Sequence, residues 1–254
     1  MSGRAPISFS VLLAILLGGP VVLGQAKPRP ASPLAQAKAQ LAQHDLKSAE
    51  DSIWKVLSAD PNNAEALLLL GVVRGEQQRF PEAETLFQRA VQVDPSSVSA
   101  HIYLGKTYLT ENKLAEATGQ YQQARQLAPR NVEVNVTLAK LYAADGKFQA
   151  ALDALNSVPA ARLPAEAIPI RVGSLLALGQ QAKATQIAGS VKDPATGLAL
   201  AEVFAASKLP DQALKMLDSA AASGRRPPAR FYFVKGKALD ATGKPALALQ
   251  NYQK

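Results

Sequence analysis

The feature that most constrains this chain is a period of 34 residues, set by Pro61, Pro95 and Pro129. Each of these prolines closes a helix-forming run and is followed by capping residues: Asn62-Asn63, Ser96-Ser97 and Arg130-Asn131. The same spacing aligns Ala49, Ala83, Ala117 and Ala151, and sets Gly71 and Gly105 in register with the small Ala139. It also aligns Leu70, Leu104 and Leu138, and pairs Ala90 with Ala124 and Phe87 with Tyr121. A fixed period of this length marks a repeat architecture, in which no unit buries its apolar face alone and stacking completes the core.

Within one period the spacing is helical. Leu67, Leu70 and Gly71 share one face of a first helix, and Ala83, Phe87 and Ala90 share one face of a second. Small residues let the two helices approach closely, while the aromatic fills the gap between neighbouring repeats. Pro81 belongs in the first turn of the second helix, where its missing N–H costs nothing, and Glu82 complements the helix dipole. Pro95 stops that helix, because the residue before a proline is pushed out of the helical region.

This pattern resembles the tetratricopeptide repeat. Residues 64–97 carry Gly71, Ala83, Phe87, Ala90 and Pro95, and residues 98–131 carry Gly105, Tyr108, Ala117, Tyr121, Ala124 and Pro129. The unit before them, 30–63, fits with Leu46, Ala49, Val56 and Asp60-Pro61, with Ala37 at the place of the glycine. Units near 132–164, 165–193, 194–228 and 229–254 follow with weaker matches, and Pro169 inside a first helix predicts irregular packing or a local bend. The resemblance implies an all-α fold, a right-handed superhelical solenoid of antiparallel helix pairs over residues 34–254. It also implies a protein-interaction scaffold and not an enzyme. Lys254 falls within the second helix of the last unit, so the reading expects a fragment of a longer array; an accessory region of a larger protein with a further domain beyond residue 254 is the alternative.

Composition agrees with helix. Hydrophobic residues make up 48% of the chain and aromatics 6%, and much of the apolar count is Ala and Leu, which lose little side-chain entropy in a helix. The chain has no cysteine, which excludes disulfides, thiolate metal sites and a cysteine nucleophile. Its net charge is +8, but Lys and Arg are scattered, the densest group being Arg225, Arg226 and Arg230, and no aromatics are interleaved for base stacking. Nucleic acid is therefore not the expected partner.

The first residues read as an export leader. Arg4 precedes an uncharged apolar stretch from Ile7 to Leu17, Gly18-Gly19-Pro20 breaks it, and Val22-Leu23-Gly24 ends in small residues. Residues 1–24 are predicted to be a signal peptide, or an uncleaved anchor tethering the chain to a membrane through residues 7–24, and 25–33 a Pro-rich linker. An exported protein, periplasmic or envelope-associated in a bacterium, is the corresponding expectation.

Nothing in the chain reads as chemistry. His44 and His101 are the two histidines, and neither has a ligand or carboxylate at metal-binding spacing. Phosphate-loop, dinucleotide, nucleophile-elbow and zincin motifs are missing from the sequence, so no catalytic residue, cofactor or metal is expected. Asn135-Val136-Thr137 matches a glycosylation sequon but falls inside a packed helix. The remaining surface is the concave groove, lined in this family by the first helix of every unit. By register one row reads Leu34, Leu68, Ile102, Val136, Pro169, Leu198 and Phe233. One turn further along it reads Lys38, Val72, Lys106, Lys140, Gly173, Glu202 and Lys237. Lys38, Leu68, Val72, Ile102, Lys106, Val136 and Lys140 are thus the candidate partner-binding residues. They suit a protein or peptide segment with apolar and acidic side chains, unless the lysines merely solvate the groove.

Overall fold

The computed structural model describes residues 31–222 and 226–254. The predicted leader, most of the linker and Arg225 lie outside the described residues. Pro33 opens the first helix, and the Ser32 hydroxyl accepts from the Ala35 amide at 3.2 Å to cap it.

All regular structure among the described residues is helical. In chain order the pairs are α1 (Pro33–Ala42) with α2 (Leu46–Ala59), α3 (Ala64–Glu76) with α4 (Phe80–Val93), and α5 (Val98–Thr110) with α6 (Leu114–Leu127). Next come α7 (Val132–Ala144) with α8 (Phe148–Asn156), and α9 (Ala167–Ala177) with α10 (Gln181–Gly189). The series ends with α11 (Pro194–Ala206) and α12 (Pro210–Ala221), then α13 (Ala229–Ala241) and α14 (Pro245–Tyr252). Each second helix packs on its own first helix and, in most units, on the first helix of the next, so the core runs along the stack. Helix starts are built as the sequence predicts. Asn63, Ser97, Asn131 and Asp193 accept, through side-chain oxygens, from amides three residues on at 3.0, 3.3, 3.1 and 2.8 Å.

The register holds through all seven units, including those where the residue pattern fades. The alanines Ala49, Ala83, Ala117, Ala151, Ala184, Ala213 and Ala248 are each at most 1% exposed. The turn between the two helices of each unit places one residue in the left-handed region: His44, Gln78, Asn112, Gly146, Gly179, Lys208 and Gly243, with φ from 57° to 74°. His44 thus sits in a turn and holds a backbone conformation that glycine adopts without cost.

A second regularity was not anticipated. The eighth residue of each unit faces the residue sixteen places on, in the second helix, and the two trade volume. Gly71, Gly105 and Gly236 face Phe87, Tyr121 and Tyr252. The same offset sets Ala37, Ala139 and Ala201 with Ile53, Leu155 and Leu217, and Val172 with Ala188, and both members of these last pairs are buried. A Cβ built on Gly71 would stand 2.5 Å from the Phe87 ring, and one on Gly105 would stand 2.9 Å from Tyr121. The departures from the repeat pattern at Ala37 and Ala139 are therefore compensated within their own units.

The packing is irregular near Pro169, but that proline is not its source. Pro169 is the third residue of α9, inside the first turn, where a proline breaks no intrahelical hydrogen bond. The change comes before it: α8 has nine residues, and a single turn of 3-10 helix, Ala160–Arg162, leads into α9. With α10 also nine residues long, α9 packs directly against α11, and Gly173 lets them close, its Cβ position 3.5 Å from Val203.

Candidate partner-binding groove

The first helices line the inner side of the stack, as their register requires, but the predicted groove is filled along its middle. Ile102 and Val136 are 7% and 3% exposed and lie in one apolar cluster with Val134, Leu138 and Ala139. They are core and not contact surface, which corrects the expectation for these two positions. Leu68 and Val72 are half-buried against Phe87 and Leu104 and their neighbours.

The lysine row is exposed but paired. Lys38 meets Glu65, Lys106 Nζ lies 2.7 Å from Glu133, and Lys140 Nζ lies 3.2 Å from Glu166. Each carboxylate belongs to the start of the next unit, so these lysines bridge units. Both partners of each pair are about half exposed, and such pairs contribute little individually.

The groove opens again between α11 and α13. Two adjoining hollows of about 440 and 880 Å³ flank the ion pair of Glu202 with Arg230, whose Nη2 donates to Glu202 Oε2 at 2.6 Å. Leu198, Arg226, Pro228 and Phe231 line the smaller; Lys208, Phe233, Lys237 and Tyr252 line the larger. Phe233 is 53% exposed and carries Lys237 Nζ over its ring at 5.0 Å. The carboxylates here are occupied: Glu202 by Arg230, Asp240 by the Tyr252 hydroxyl at 2.8 Å, and Asp193 by the Thr196 amide and hydroxyl, which hold it below the usual carboxylate range. Lys208, Arg226 and Lys237 form no ion pair with another described residue. The cleft therefore offers exposed apolar surface with unneutralised positive charge. Sequence register had placed Leu198, Phe233 and Lys237 in the two rows, but not the fact that the opening is confined to this end.

The polar groups of the middle units serve the fold. His101 is buried, with Nδ1 2.8 Å from Gln120 Oε1 and Nε2 3.0 Å from the Pro95 carbonyl. Asn135 occupies the equivalent place one unit on, donating at 2.9 Å to the Pro129 carbonyl, and its full burial removes it from the reach of glycosylation. Among the described residues no group of three or more His, Asp or Glu side chains is disposed to hold a metal.

Family models of the tetratricopeptide repeat match residues 34–98, 73–132 and 108–167, together more than half of the 254 residues. No curated protein matches the chain. Among solved structures, a tetratricopeptide-repeat protein from Parabacteroides merdae superposes with a TM-score of 0.65 at 16% identity, covering 87% of this chain and 90% of that one. YrrB, described as a tetratricopeptide-repeat protein with an unusual peptide-binding site, superposes at 0.57 with 17% identity, over 81% of this chain and all of that one. PilF of Pseudomonas aeruginosa superposes at 0.53 with 19% identity, over 74% and 88%. At these identities the likeness is one of fold. With the volume-matched helix pairs and the period of 34, the matches establish that this chain belongs to the tetratricopeptide-repeat family.

Proposed function

We propose that this protein is an exported protein-interaction scaffold that holds a segment of a partner in the cleft between α11 and α13. The observation that carries this reading is the coincidence, at one place on the inner surface, of exposed apolar side chains and unpaired cationic groups. Phe233 is exposed and the half-buried Leu198 lines the cleft beside it, while Lys208, Arg226 and Lys237 lack carboxylate partners among the described residues. The matching ligand is an extended or helical peptide with an apolar anchor flanked by acidic residues. A rigid stack presents such contacts at little ordering cost. YrrB, also a tetratricopeptide-repeat protein, is described as having a peptide-binding site. The apolar leader of residues 1–24 supports a place outside the cytoplasm, in the assembly or export machinery of a bacterial envelope.

A photo-crosslinking residue at Phe233 tests the cleft. It should capture one dominant partner in cells, and Lys208→Glu should reduce that capture. Equal capture of the same protein from Trp54, on the outer helices, would refute the assignment. Mass spectrometry of the protein recovered from cells tests export: the expected chain begins near residue 25, and an intact segment through Gly24 would overturn a cleaved leader.

A further inference from the structure

An arginine stands in the core row of the fifth unit. In four other units the seventh residue is a leucine at most 3% exposed: Leu70, Leu104, Leu138 and Leu200. Arg171 takes that place in α9, and Lys235 takes it in α13. Lys235 is matched by Asp218, 3.0 Å away on the second helix of the preceding unit. Arg171 meets no carboxylate there. Its Nη2 donates at 3.3 Å to the Leu155 carbonyl and to Asn156 Oδ1, and its Nε is buried without a partner among the described residues. Burial pushes its pKa down, the mark of a cation withdrawn from water without a counter-ion.

Arg171 borders a hollow of about 580 Å³ between α8 and α10, shared with Gln149, Asn156, Gln180, Lys183 and Gln186; the rest of the lining is aliphatic. Hydrogen-bonding capacity there is one-sided. Asn156 Oδ1 accepts from Arg171 and Gln180 Oε1 accepts from Lys183 at 3.0 Å, which leaves both amide nitrogens free to donate. Arg171 Nη1 and the Lys183 ammonium add further donors. No carboxylate lines the hollow. The nearby acids are engaged elsewhere: Asp153 by Gln149 at 2.9 Å, Glu166 by Lys140, and Asp193 by Thr196. We propose that this hollow binds the phosphate group of a small organic phosphate, with Arg171 and Lys183 supplying the charge and Asn156, Gln180 and Gln186 the remaining donors. A phosphate monoester carries about −1.5 to −2 charges at pH 7 and presents only acceptor oxygens, which matches two cations and an excess of donors. Its carbon skeleton has the aliphatic lining to rest on, in a space of small-molecule size. The site lies between second helices, so it does not depend on the cleft of α11 and α13.

Isothermal titration of the purified protein with glycerol 3-phosphate tests this, together with the thermal unfolding midpoint with and without that probe. One site per chain is expected, weakened about ten-fold or more by Arg171→Leu. That variant restores the leucine of the other units, so without the probe it should melt at or above the parent, and the probe should no longer raise its midpoint. Lys183→Gln, at an exposed position, should weaken binding and leave the unliganded midpoint unchanged. Lys237→Gln, in the cleft, should leave binding unchanged. Absence of binding to the parent, or undiminished binding by Arg171→Leu or Lys183→Gln, would overturn the proposal. Malate bound as tightly as glycerol 3-phosphate would also sink it, since the hollow would then be a carboxylate site. So would capture of the parent, but not of Arg171→Leu, by phosphatidylcholine vesicles carrying phosphatidic acid when the soluble probe does not bind, because the ligand would then be a membrane surface.

Discussion

Replacing Gly71 with alanine should destabilise the second unit, and replacing Phe87 with leucine in the same chain should recover much of the loss. The new Cβ would stand 2.5 and 2.7 Å from Phe87 Cε1 and Cδ1, where ordinary carbon contacts lie near 3.5–4.0 Å. The ring must retreat by about 1 Å to restore a normal contact. It has little room, being 3% exposed and stacked on Tyr103 with centroids 5.5 Å apart. Overpacking of this kind costs about 1–3 kcal/mol, and the better helix propensity of alanine returns about 1 kcal/mol. The net loss should be about 0–2 kcal/mol. Phe87→Leu alone leaves a void and should cost about 1 kcal/mol or more. The double variant copies the Ala139–Leu155 pair, so its cost should fall below the sum of the two by about 1–2 kcal/mol. Urea midpoints followed by far-ultraviolet circular dichroism, at constant slope, read all four corners of the cycle. Costs that add to within about 0.5 kcal/mol would refute the volume trade between the two positions.

Lys106→Glu should lower stability by about 0.2–1 kcal/mol at low salt, and Glu133→Lys in the same chain should restore it; loss of the effect in high salt would identify it as the exposed pair it resembles. Glu50 accepts from Arg74 at 2.6 and 2.8 Å, which holds its pKa down to about 2 against 4.5. A depressed carboxylate contributes stability that is present above pH 4.5 and lost as pH falls toward 2, here at most about 3 kcal/mol. Acid titration of Glu50→Gln should lack that drop, and an unchanged acid midpoint relative to the parent would count against the pair. Gln78→Gly should stabilise the chain by about 0.5 kcal/mol, because the residue already has a φ of 60°; a loss in the urea midpoint would show that its side chain matters more than its backbone.

Much of the fold was legible because its rules are local. Pro61, Pro95 and Pro129 mark the helix ends, and the buried alanines mark the second helices, both at fixed offsets. Pro169 misled, because its effect depends on where the helix begins, and the 3-10 turn at Ala160–Arg162 moved that start to Ala167. The groove was legible in position but not in openness. Register places Ile102 and Phe233 on the same row, yet one is 7% exposed and the other 53%, because the side chains packed around each position are set by tertiary contacts that register does not specify. The pairing of Lys38, Lys106 and Lys140 had a sequence signal, a glutamate 26 or 27 residues on, that surfaces once units are compared with their successors and not with themselves.

The volume trade within units and the charge match between them differ in reach, and that difference bears on how such an array can grow or shrink when its gene is copied unequally. The volume trade is settled inside each unit, so a unit carries it wherever it goes. The charge match is settled between neighbours, so it survives only certain events. Loss of residues 64–97 would bring Lys38 against Ser99, and loss of 98–131 would bring Val72 against Glu133. Loss of 132–164 brings Lys106 against Glu166, and tandem duplication of the same stretch brings Lys140 against a second Glu133. Among the interior units the fourth is thus the place where the stack can lengthen or shorten by one unit and leave every charge with its partner.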